Sequence, residues 1–373
     1  MLIKNVKIFD GKRFIKEDRV RVSDGKFCFS PDDADNDTDC EVADGGGGVL
    51  SPGFIDLHIH GAGGRDFCDG ADDSFGIIAD TLKKNGTTAF LATSAAAEVD
   101  KMEMFLKKCS EYDCCIGAHI EGTFINPVKK GAINTDYVYS PTVENYNALF
   151  GVYKNVIKRV NLAVELDDGY ALTKTLTSDG TVVSVGHSNA DGAVMSAAVD
   201  AGVRLVTHFY NCMDGLNHRN ANIVSYTLAH DDIYAEVIAD GVHVNDDALI
   251  LLYKAKGSKM IALISDAVAA AGMSDGIYDL GGLKVTVNGS RAALRDGAIA
   301  GSCSFLSDGV VNLKRMGLLT EDILRMATAT PAEIVKADGF TGRVKEGHRA
   351  DFVFLNEDDL SIEAVYIKGN KIR

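Results

Sequence analysis

The stretch that decides the fold is Pro52-Gly53-Phe54-Ile55-Asp56-Leu57-His58-Ile59-His60-Gly61. A Pro-Gly turn leads into a short apolar run and a glycine-rich segment follows, which is typical of a buried strand that ends in an open loop. Because side chains alternate along a strand, His58 and His60 point to the same side. Two imidazoles at one strand end are well placed to bind one metal ion. The alternative is two polar residues satisfied by the backbone, since the motif is short.

Downstream of this stretch, apolar runs of strand character alternate with helical segments. One such segment, residues 191–201, repeats small apolar residues at helical spacing. Eight strands are predicted, at residues 54–60, 87–93, 115–121, 161–165, 181–187, 204–208, 233–238 and 260–266. This alternation predicts an α/β protein with a (β/α)8 TIM barrel. A doubly wound open sheet is the alternative, but no glycine-rich phosphate fingerprint follows the first strand.

Short strands separated by turns are predicted at both ends of the chain. They lie at residues 2–9, 19–22 and 26–29, and again at 351–355 and 362–372. The simplest arrangement pairs the two ends in one small β-sandwich domain made of residues 1–48 and 340–373. Residues 49–339 then form the barrel, with a hairpin at 277–300 that turns at Asn288-Gly289.

Composition and charge exclude several classes of partner. Hydrophobic residues make up 46% of the 373 residues and charged residues 24%, as in ordinary soluble globular proteins. The net charge of -15 repels nucleic acid and anionic membrane surfaces, so neither is an expected partner. No apolar run approaches the roughly 20 residues of a membrane span. Eight cysteines without Cys-x-x-Cys spacing, and an N-terminus without a signal-like apolar core, predict reduced thiols in the cytoplasm.

Polar residues recur at the ends of the predicted strands, where TIM barrels place their active sites. These residues are His58, His60, Glu121, His187, His208 and Asp266, with His243 just after the seventh strand. Imidazole and carboxylate groups are the usual ligands of hydrolytic zinc, which keeps a position open for water. Glu121 is placed to bridge two ions. Asp266 is predicted to take a proton from water and return it to a leaving group. The alternative is a set of polar residues that only cap the barrel.

Seven segments, in this order, resemble the N-acetylglucosamine-6-phosphate deacetylase family of the amidohydrolase superfamily. They are Pro52 to Gly61, His119-Ile120-Glu121-Gly122, Gly186-His187-Ser188, Thr207-His208-Phe209-Tyr210-Asn211, Asp240-Gly241-Val242-His243, Ser265-Asp266-Ala267 and Ile299-Ala300-Gly301-Ser302. The resemblance covers nearly the whole chain. It implies a hydrolase that uses metal-activated water to convert N-acetylglucosamine 6-phosphate to glucosamine 6-phosphate and acetate, and it implies a homodimer.

The resemblance also implies roles for individual residues. One divalent ion would be held by Glu121, His187 and His208, and His58 and His60 would be available for a second ion, with Asp266 also among the metal ligands. Zinc is expected, but iron, manganese or cobalt would accept the same ligands. Substrate contacts are implied for Asn211, the backbone of Cys212, His243 and, at the phosphate, Arg219. His218 would reach the site of a neighbouring subunit in a dimer. The alternative for Arg219 and His218 is an exposed position without a role in binding.

Three departures from the family pattern leave alternatives open. Thr123 replaces a usual proline, Asn220-Ala221-Asn222 follows Arg219 where the family prefers Glu-Pro-Gly, and Ile133 stands where some members have histidine or glutamine. One alternative is therefore deacetylation of another N-acetylhexosamine, its phosphate or a related acyl amine. A non-catalytic barrel that binds a sugar phosphate is an alternative of another class.

Overall fold

The structure is a computed structural model that describes residues 1–29, 41–280, 283–295 and 297–373. Cys40 lies outside these ranges, and the seven cysteines within them are free thiols. Within the same ranges, no helix has both the length and the apolar character needed to cross a membrane.

Eight parallel strands form the barrel, and each pairs with the next along the chain. They are Phe54–Ile59, Thr87–Ser94, Cys115–Phe124, Ile157–Leu162, Val182–Val185, Leu205–Val206, Tyr234–Ile238 and Ile261–Ile264. The last strand meets the first through backbone hydrogen bonds. The Asp266 N–H donates to the His58 carbonyl at 2.9 Å, and the His60 N–H donates to the Ala267 carbonyl at 2.8 Å. The predicted TIM barrel is confirmed.

The fourth strand lies earlier in the chain than predicted. It spans Ile157–Leu162 instead of residues 161–165, and Val164–Leu166 forms a 3-10 turn. Lys158 and Arg159 interrupt the apolar pattern of this strand. Arg159 is nevertheless fully buried inside the barrel, where it pairs with Glu236 of the seventh strand. A charge pair that forms only across the barrel leaves no local signal of a strand.

Helices connect the strands on the outside of the barrel. In the described part of the chain they are Ser74–Lys84, Val99–Lys108, Val143–Phe150, Ala171–Ser178, Gly192–Asp200, Ile223–Ala229, Asp246–Lys256, Leu306–Arg315, Thr320–Ala327 and Ala329–Ile334. The helix predicted at residues 191–201 begins after Asp191, whose carboxylate accepts the N–H groups of Ala193 and Val194. This N-cap satisfies amide donors that the first helical turn leaves unpaired.

Both ends of the chain build a separate β domain of two sheets, as predicted. One sheet contains Leu2–Lys4, Arg19–Ser23, Lys26–Cys28 and Val42–Asp44. The other contains Lys7–Ile8, Val49–Pro52, Phe352–Leu355, Ile362–Ile367 and Asn370–Lys371. Buried residues of both sheets, such as Phe27 and Phe352, share one hydrophobic core. The division at residues 48 and 340 stays a prediction, and the pairing of Val49–Pro52 with Phe352–Leu355 favours a first boundary at Gly53.

An antiparallel insertion follows the eighth barrel strand. Its strands are Gly276–Leu280, Leu283–Asn288, Arg291–Ala293 and Ile299–Ser302, with the predicted turn after Asn288. The last of these strands is tied to the barrel, because the Ser302 N–H donates to the Asp266 carbonyl at 2.8 Å. The insertion therefore forms one wall beside the strand ends.

Candidate active site

Six potential ligand side chains converge at the carboxyl ends of the barrel strands. We call them the donor cluster: His58, His60, Glu121, His187, His208 and Asp266. They come from the first, third, fifth, sixth and eighth strands or from the residues just after them. Asp266 is half-buried and the other five are buried. The structure thus brings together all the residues that the sequence proposed as metal ligands.

Three residues of the donor cluster leave their strands through a sharp backbone turn. His187, His208 and Asp266 each lie two residues beyond a strand, with φ of 49°, 31° and 50°. Residues other than glycine rarely adopt this left-handed backbone conformation, and those that do concentrate at functional sites. The turn directs the three side chains over the end of the barrel.

Glu121 lies between two groups of ligands. Its Oε2 is 3.0 Å from His60 Nε2 and 3.1 Å from His58 Nε2. Its Oε1 is 3.2 Å from His208 Nε2 and 3.4 Å from His187 Nε2. The cluster therefore divides into two triads that meet at this carboxylate. The His58 triad consists of His58, His60 and Asp266, and the Glu121 triad consists of Glu121, His187 and His208.

The spacing of these atoms fits a divalent metal. In the His58 triad, Asp266 Oδ1 lies 3.4 Å from the Nε2 atoms of both histidines. Tetrahedral coordination with bonds of ~2.0–2.1 Å places ligand atoms ~3.3–3.4 Å apart. A buried set of carboxylates and imidazoles is also costly without a compensating cation. The donor set therefore suits one or two divalent ions, but histidine and carboxylate ligands do not identify the metal.

A hydrogen bond orients one of the imidazoles from behind, and a carboxylate faces a second one. His187 Nδ1 lies 2.8 Å from the carbonyl oxygen of Lys129, so this nitrogen donates and Nε2 keeps its lone pair. His58 Nδ1 faces Glu236 Oε2 at 3.7 Å. Burial opposes ionisation of Glu236, but Arg159 and His58 lower its pKa and keep it charged.

Charges within the donor cluster shift its pKa values. Burial opposes protonation of His58 and His60, yet Glu121 and Asp266 raise their pKa values to about 9 and about 10. Burial would raise the pKa of Asp266, but the two imidazoles lower it to about 2. Burial would also raise the pKa of Glu121, but the neighbouring imidazoles, His58 foremost, hold it well below its usual value. Without metal, the charged imidazoles of His58 and His60 therefore pair with the carboxylates of Glu121 and Asp266.

A cavity of about 300 Å³ opens above the donor cluster. Its wall includes three of the predicted substrate residues, Asn211, Cys212 and His243, as well as apolar side chains such as Ile133. His243 Nδ1 lies 2.8 Å from Asp240 Oδ2, which fixes the donor on that side of the ring. This cavity has the size, the polar floor and the partly apolar wall of a small-molecule site.

Arg219 and His218 do not reach this cavity. Both side chains are exposed in the segment between the sixth strand and the helix Ile223–Ala229. Among the described residues that line the cavity, none is lysine or arginine. The structure therefore does not bring the predicted phosphate residues to the site of the same chain, and their role stays a prediction.

Two buried polar pairs at the site escaped the sequence analysis. Asp56 Oδ2 accepts the hydroxyl of Ser265 at 2.5 Å, which ties the first strand to the eighth. Asp56 lies two residues before His58 and therefore on the same face of the strand, which could have indicated that it lies near the site. Arg159 and Glu236 form the second pair, and nothing in their local sequence indicates it.

Comparisons with known proteins agree with this geometry. The family model described as the amidohydrolase family matches residues 49–372. The N-acetylglucosamine-6-phosphate deacetylase of Bacillus subtilis (strain 168) is 33% identical, covering 96% of this chain and 93% of that protein. The N-acetylgalactosamine-6-phosphate deacetylase of Escherichia coli O157:H7 is 31% identical, covering 86% and 87%.

A solved structure is similar over the full length. It is a mutant N-acetyl-D-glucosamine-6-phosphate deacetylase from Mycobacterium smegmatis in complex with N-acetyl-D-glucosamine-6-phosphate. It superposes with a TM-score of 0.91 at 25% identity, covering 100% of this chain and 99% of that chain.

Proposed function

The chain belongs to the amidohydrolase family, and we propose that it is a metal-dependent deacetylase of N-acetylglucosamine 6-phosphate. The products are glucosamine 6-phosphate and acetate. The observation that carries this proposal is the cavity whose floor is the donor cluster, with the Glu121 carboxylate placed between the two triads. Relatives named for this activity support the choice of substrate.

We assign the metal ligands by triad. Glu121, His187 and His208 would hold one divalent ion, and His58, His60 and Asp266 would hold a second. Zinc is the proposed metal, with iron, manganese or cobalt as alternatives. When bound, the metal supplies Lewis acidity that activates a water molecule and polarises the amide carbonyl.

Asp266 is the proposed proton carrier. Its carboxylate takes a proton as water attacks the acetyl carbon, and it returns that proton to the nitrogen as the C–N bond breaks. The pKa of Asp266, about 2 in the metal-free chain, keeps its carboxylate ionised. Its side chain lines the cavity, where it can reach both water and leaving group.

Residues of the cavity wall would hold the sugar. The Asn211 side-chain amide donates to the His208 carbonyl at 3.2 Å, which leaves its Oδ1 as an acceptor. His243 donates through Nδ1 to Asp240, which leaves Nε2 for a substrate group. The backbone of Cys212 completes the proposed contacts. Ile133 gives an apolar surface against which the acetyl methyl group can pack.

We propose that the phosphate is bound by Arg219 and His218 of a second subunit in a homodimer. Both side chains are exposed, so they are accessible to a neighbouring molecule. The net charge of -15 makes a local basic contribution necessary for an anionic substrate.

A cytoplasmic location stays a prediction that rests on the unpaired thiols.

Acetate release from N-acetylglucosamine 6-phosphate by the purified, metal-loaded protein tests the function. We expect Asp266→Asn to lower kcat by about 10²- to 10⁴-fold, because the proton carrier is lost. Asp247→Asn, on the exposed side of the helix Asp246–Lys256, is the matched control and should be fully active. Normal turnover by Asp266→Asn would refute the mechanism.

A second candidate substrate is N-acetylgalactosamine 6-phosphate. The similarity to an N-acetylgalactosamine-6-phosphate deacetylase favours its inclusion. Comparing kcat/KM for the two epimers, with and without phosphate, separates the candidates. Indifference to the phosphate would favour another acyl amine. Protein that binds no metal and releases no acetate would favour a non-catalytic sugar-phosphate-binding barrel.

A further inference from the structure

A complete ion pair is buried in the barrel below the donor cluster. Arg159 of the fourth strand and Glu236 of the seventh strand are both 0% exposed. Arg159 Nη2 donates to Glu236 Oε2 at 2.7 Å, and Nη1 contacts the other carboxylate oxygen. The guanidinium also donates to Ser184 Oγ at 3.1 Å and to Thr207 Oγ1 at 2.8 Å. The guanidinium is thus held by side chains of the fifth strand and of the residue that follows the sixth strand.

Stability alone is a poor explanation for this pair. Removing two charges from water costs several kcal/mol per ion, and apolar residues of similar volume often stabilise a core equally well or better. Elsewhere the barrel is packed with apolar side chains such as Leu205 and Ile238, which are fully or almost fully buried. The pair therefore requires a reason connected with its neighbours.

The neighbour that connects this pair with the donor cluster is His58. Its Nε2 lies 3.1 Å from Glu121 Oε2 and 3.2 Å from His60 Nε2, inside the donor cluster. Its Nδ1, on the opposite side of the ring, lies 3.7 Å from Glu236 Oε2. In the described part of the chain, Nδ1 has no hydrogen-bond partner and no exposure to solvent. One imidazole therefore connects the proposed metal centre with the buried carboxylate.

We propose that Glu236 is a positioning residue for the metal site of the His58 triad. Its carboxylate, 3.7 Å from His58 Nδ1, favours a proton on that nitrogen by its negative charge and so leaves the Nε2 lone pair for the ion, while Arg159 orients the carboxylate and balances its charge. Metal-bound histidines commonly donate their second N–H to such a group, which fixes the tautomer and strengthens the ligand. This inference rests on the proposed metal centre and not on the identity of the acyl substrate.

The two triads differ in this support. His187 of the Glu121 triad donates to a backbone carbonyl, that of Lys129, at 2.8 Å. His119 packs edge-on against His58 at 4.8 Å between ring centroids, which restricts the ring plane but offers no charge to Nδ1. His58 of the first triad therefore has a buried carboxylate behind its ring, whereas His187 of the second triad has a backbone carbonyl. Loss of Glu236 should affect one ion selectively.

Metal binding by Glu236→Gln tests the proposal. Protein loaded with zinc is dialysed against graded chelator, and the bound zinc is measured by elemental analysis. We expect the ion of the His58 triad to bind about 10- to 100-fold more weakly, which is the usual effect of losing a residue that orients a metal ligand. The other ion should keep its wild-type affinity.

A double variant guards against misfolding, because Glu236→Gln leaves Arg159 without its counter-ion. Arg159→Met combined with Glu236→Leu removes both charges and roughly preserves volume. It should fold, as judged by circular dichroism and thermal melting, and show the same selective loss. The control is Arg325→Met with Glu333→Leu, which removes an Arg–Glu pair, 3.1 Å apart, on helices outside the barrel. It should retain both ions.

Three results would overturn the inference. They are unchanged affinity for both ions in the two Glu236 variants, equal weakening of both ions, and a wild-type protein that binds only one ion. A purely structural pair would change melting temperature without changing zinc affinity. Acetate release by the wild-type protein is measured separately, so failure of this inference is distinguishable from failure of the proposed function.

Discussion

Glu121 is the residue on which both halves of the donor cluster depend. One of its oxygens approaches His58 and His60, and the other approaches His187 and His208. The sequence predicted a bridging role from its central position among the strands. The distances agree with that role, because the Nε2 atoms of all four imidazoles lie 3.0 to 3.4 Å from the nearer Glu121 oxygen.

We predict that a metal ion displaces protons from His58 and His60 when it binds. The pKa values of His58 and His60, about 9 and about 10, mean that both rings are protonated at pH 7 in the metal-free chain. A metal ligand must be unprotonated, so an ion that enters the His58 triad displaces these protons. Its apparent affinity should rise steeply from pH 7 to 9 and level off above pH 10. Calorimetry in buffers of different ionisation enthalpy measures the protons released.

The stability of the metal-free chain should depend on pH in the opposite direction. Folding raises the pKa values of His58 and His60 from 6.5, so protonation of the two rings stabilises the folded chain. This contribution to the free energy of unfolding is complete below pH 6.5 and is lost as the pH rises through 9 to 10. Thermal melting of the metal-free protein over this window is the independent check. Metal binding without proton release at pH 7 would contradict the assignment of His58 and His60 as ligands.

The loop after the third barrel strand is the element that most directly supports the Glu121 triad. It supplies the Lys129 carbonyl behind His187 and the Ile133 side chain in the cavity wall. Gly131 lies between them with φ of +55°, and a Cβ there would approach Cys212 Sγ to 2.7 Å and His187 Cε1 to 3.3 Å. A side chain at this position would therefore crowd both Cys212 and His187.

Gly131→Ala should weaken the ion of the Glu121 triad by about tenfold, because the added methyl group displaces His187 or its carbonyl partner. Zinc retention against chelator measures the effect. Gly180→Ala is the control, since Gly180 has φ of +85° but nothing within 4 Å of the added carbon. Both variants should lose about 1–2 kcal/mol of stability from the left-handed backbone. Equal zinc retention in the two variants would refute the steric argument.

At the scale of the whole molecule, the feature to explain is the cation that binds the substrate phosphate. The described lining residues contain no lysine or arginine, and Arg219 is exposed on a loop. A symmetric dimer would let each subunit supply this loop to its partner. Association in that form would complete two equivalent sites at once.

Mixed dimers test this arrangement. Asp266→Asn and Arg219→Ala subunits are co-expressed with different tags, and the mixed species is purified. It contains one site with both native residues, so we expect about half of the wild-type kcat per dimer and a wild-type KM. Arg219→Ala alone should show a raised KM for the phosphorylated sugar. A mixed dimer that keeps this raised KM would show that Arg219 does not act across subunits.

The sequence by itself determined the barrel, the small β domain and the strand ends that carry the donor cluster. These features depend on periodicity and on residues such as His58 and His60, whose shared face follows from strand geometry. Only the tertiary structure decided how Glu121 divides the cluster, where Arg219 lies, and that Arg159 and Glu236 form a pair. The physical reason is that contacts across a barrel join residues far apart in the chain, and no local pattern records which partners meet.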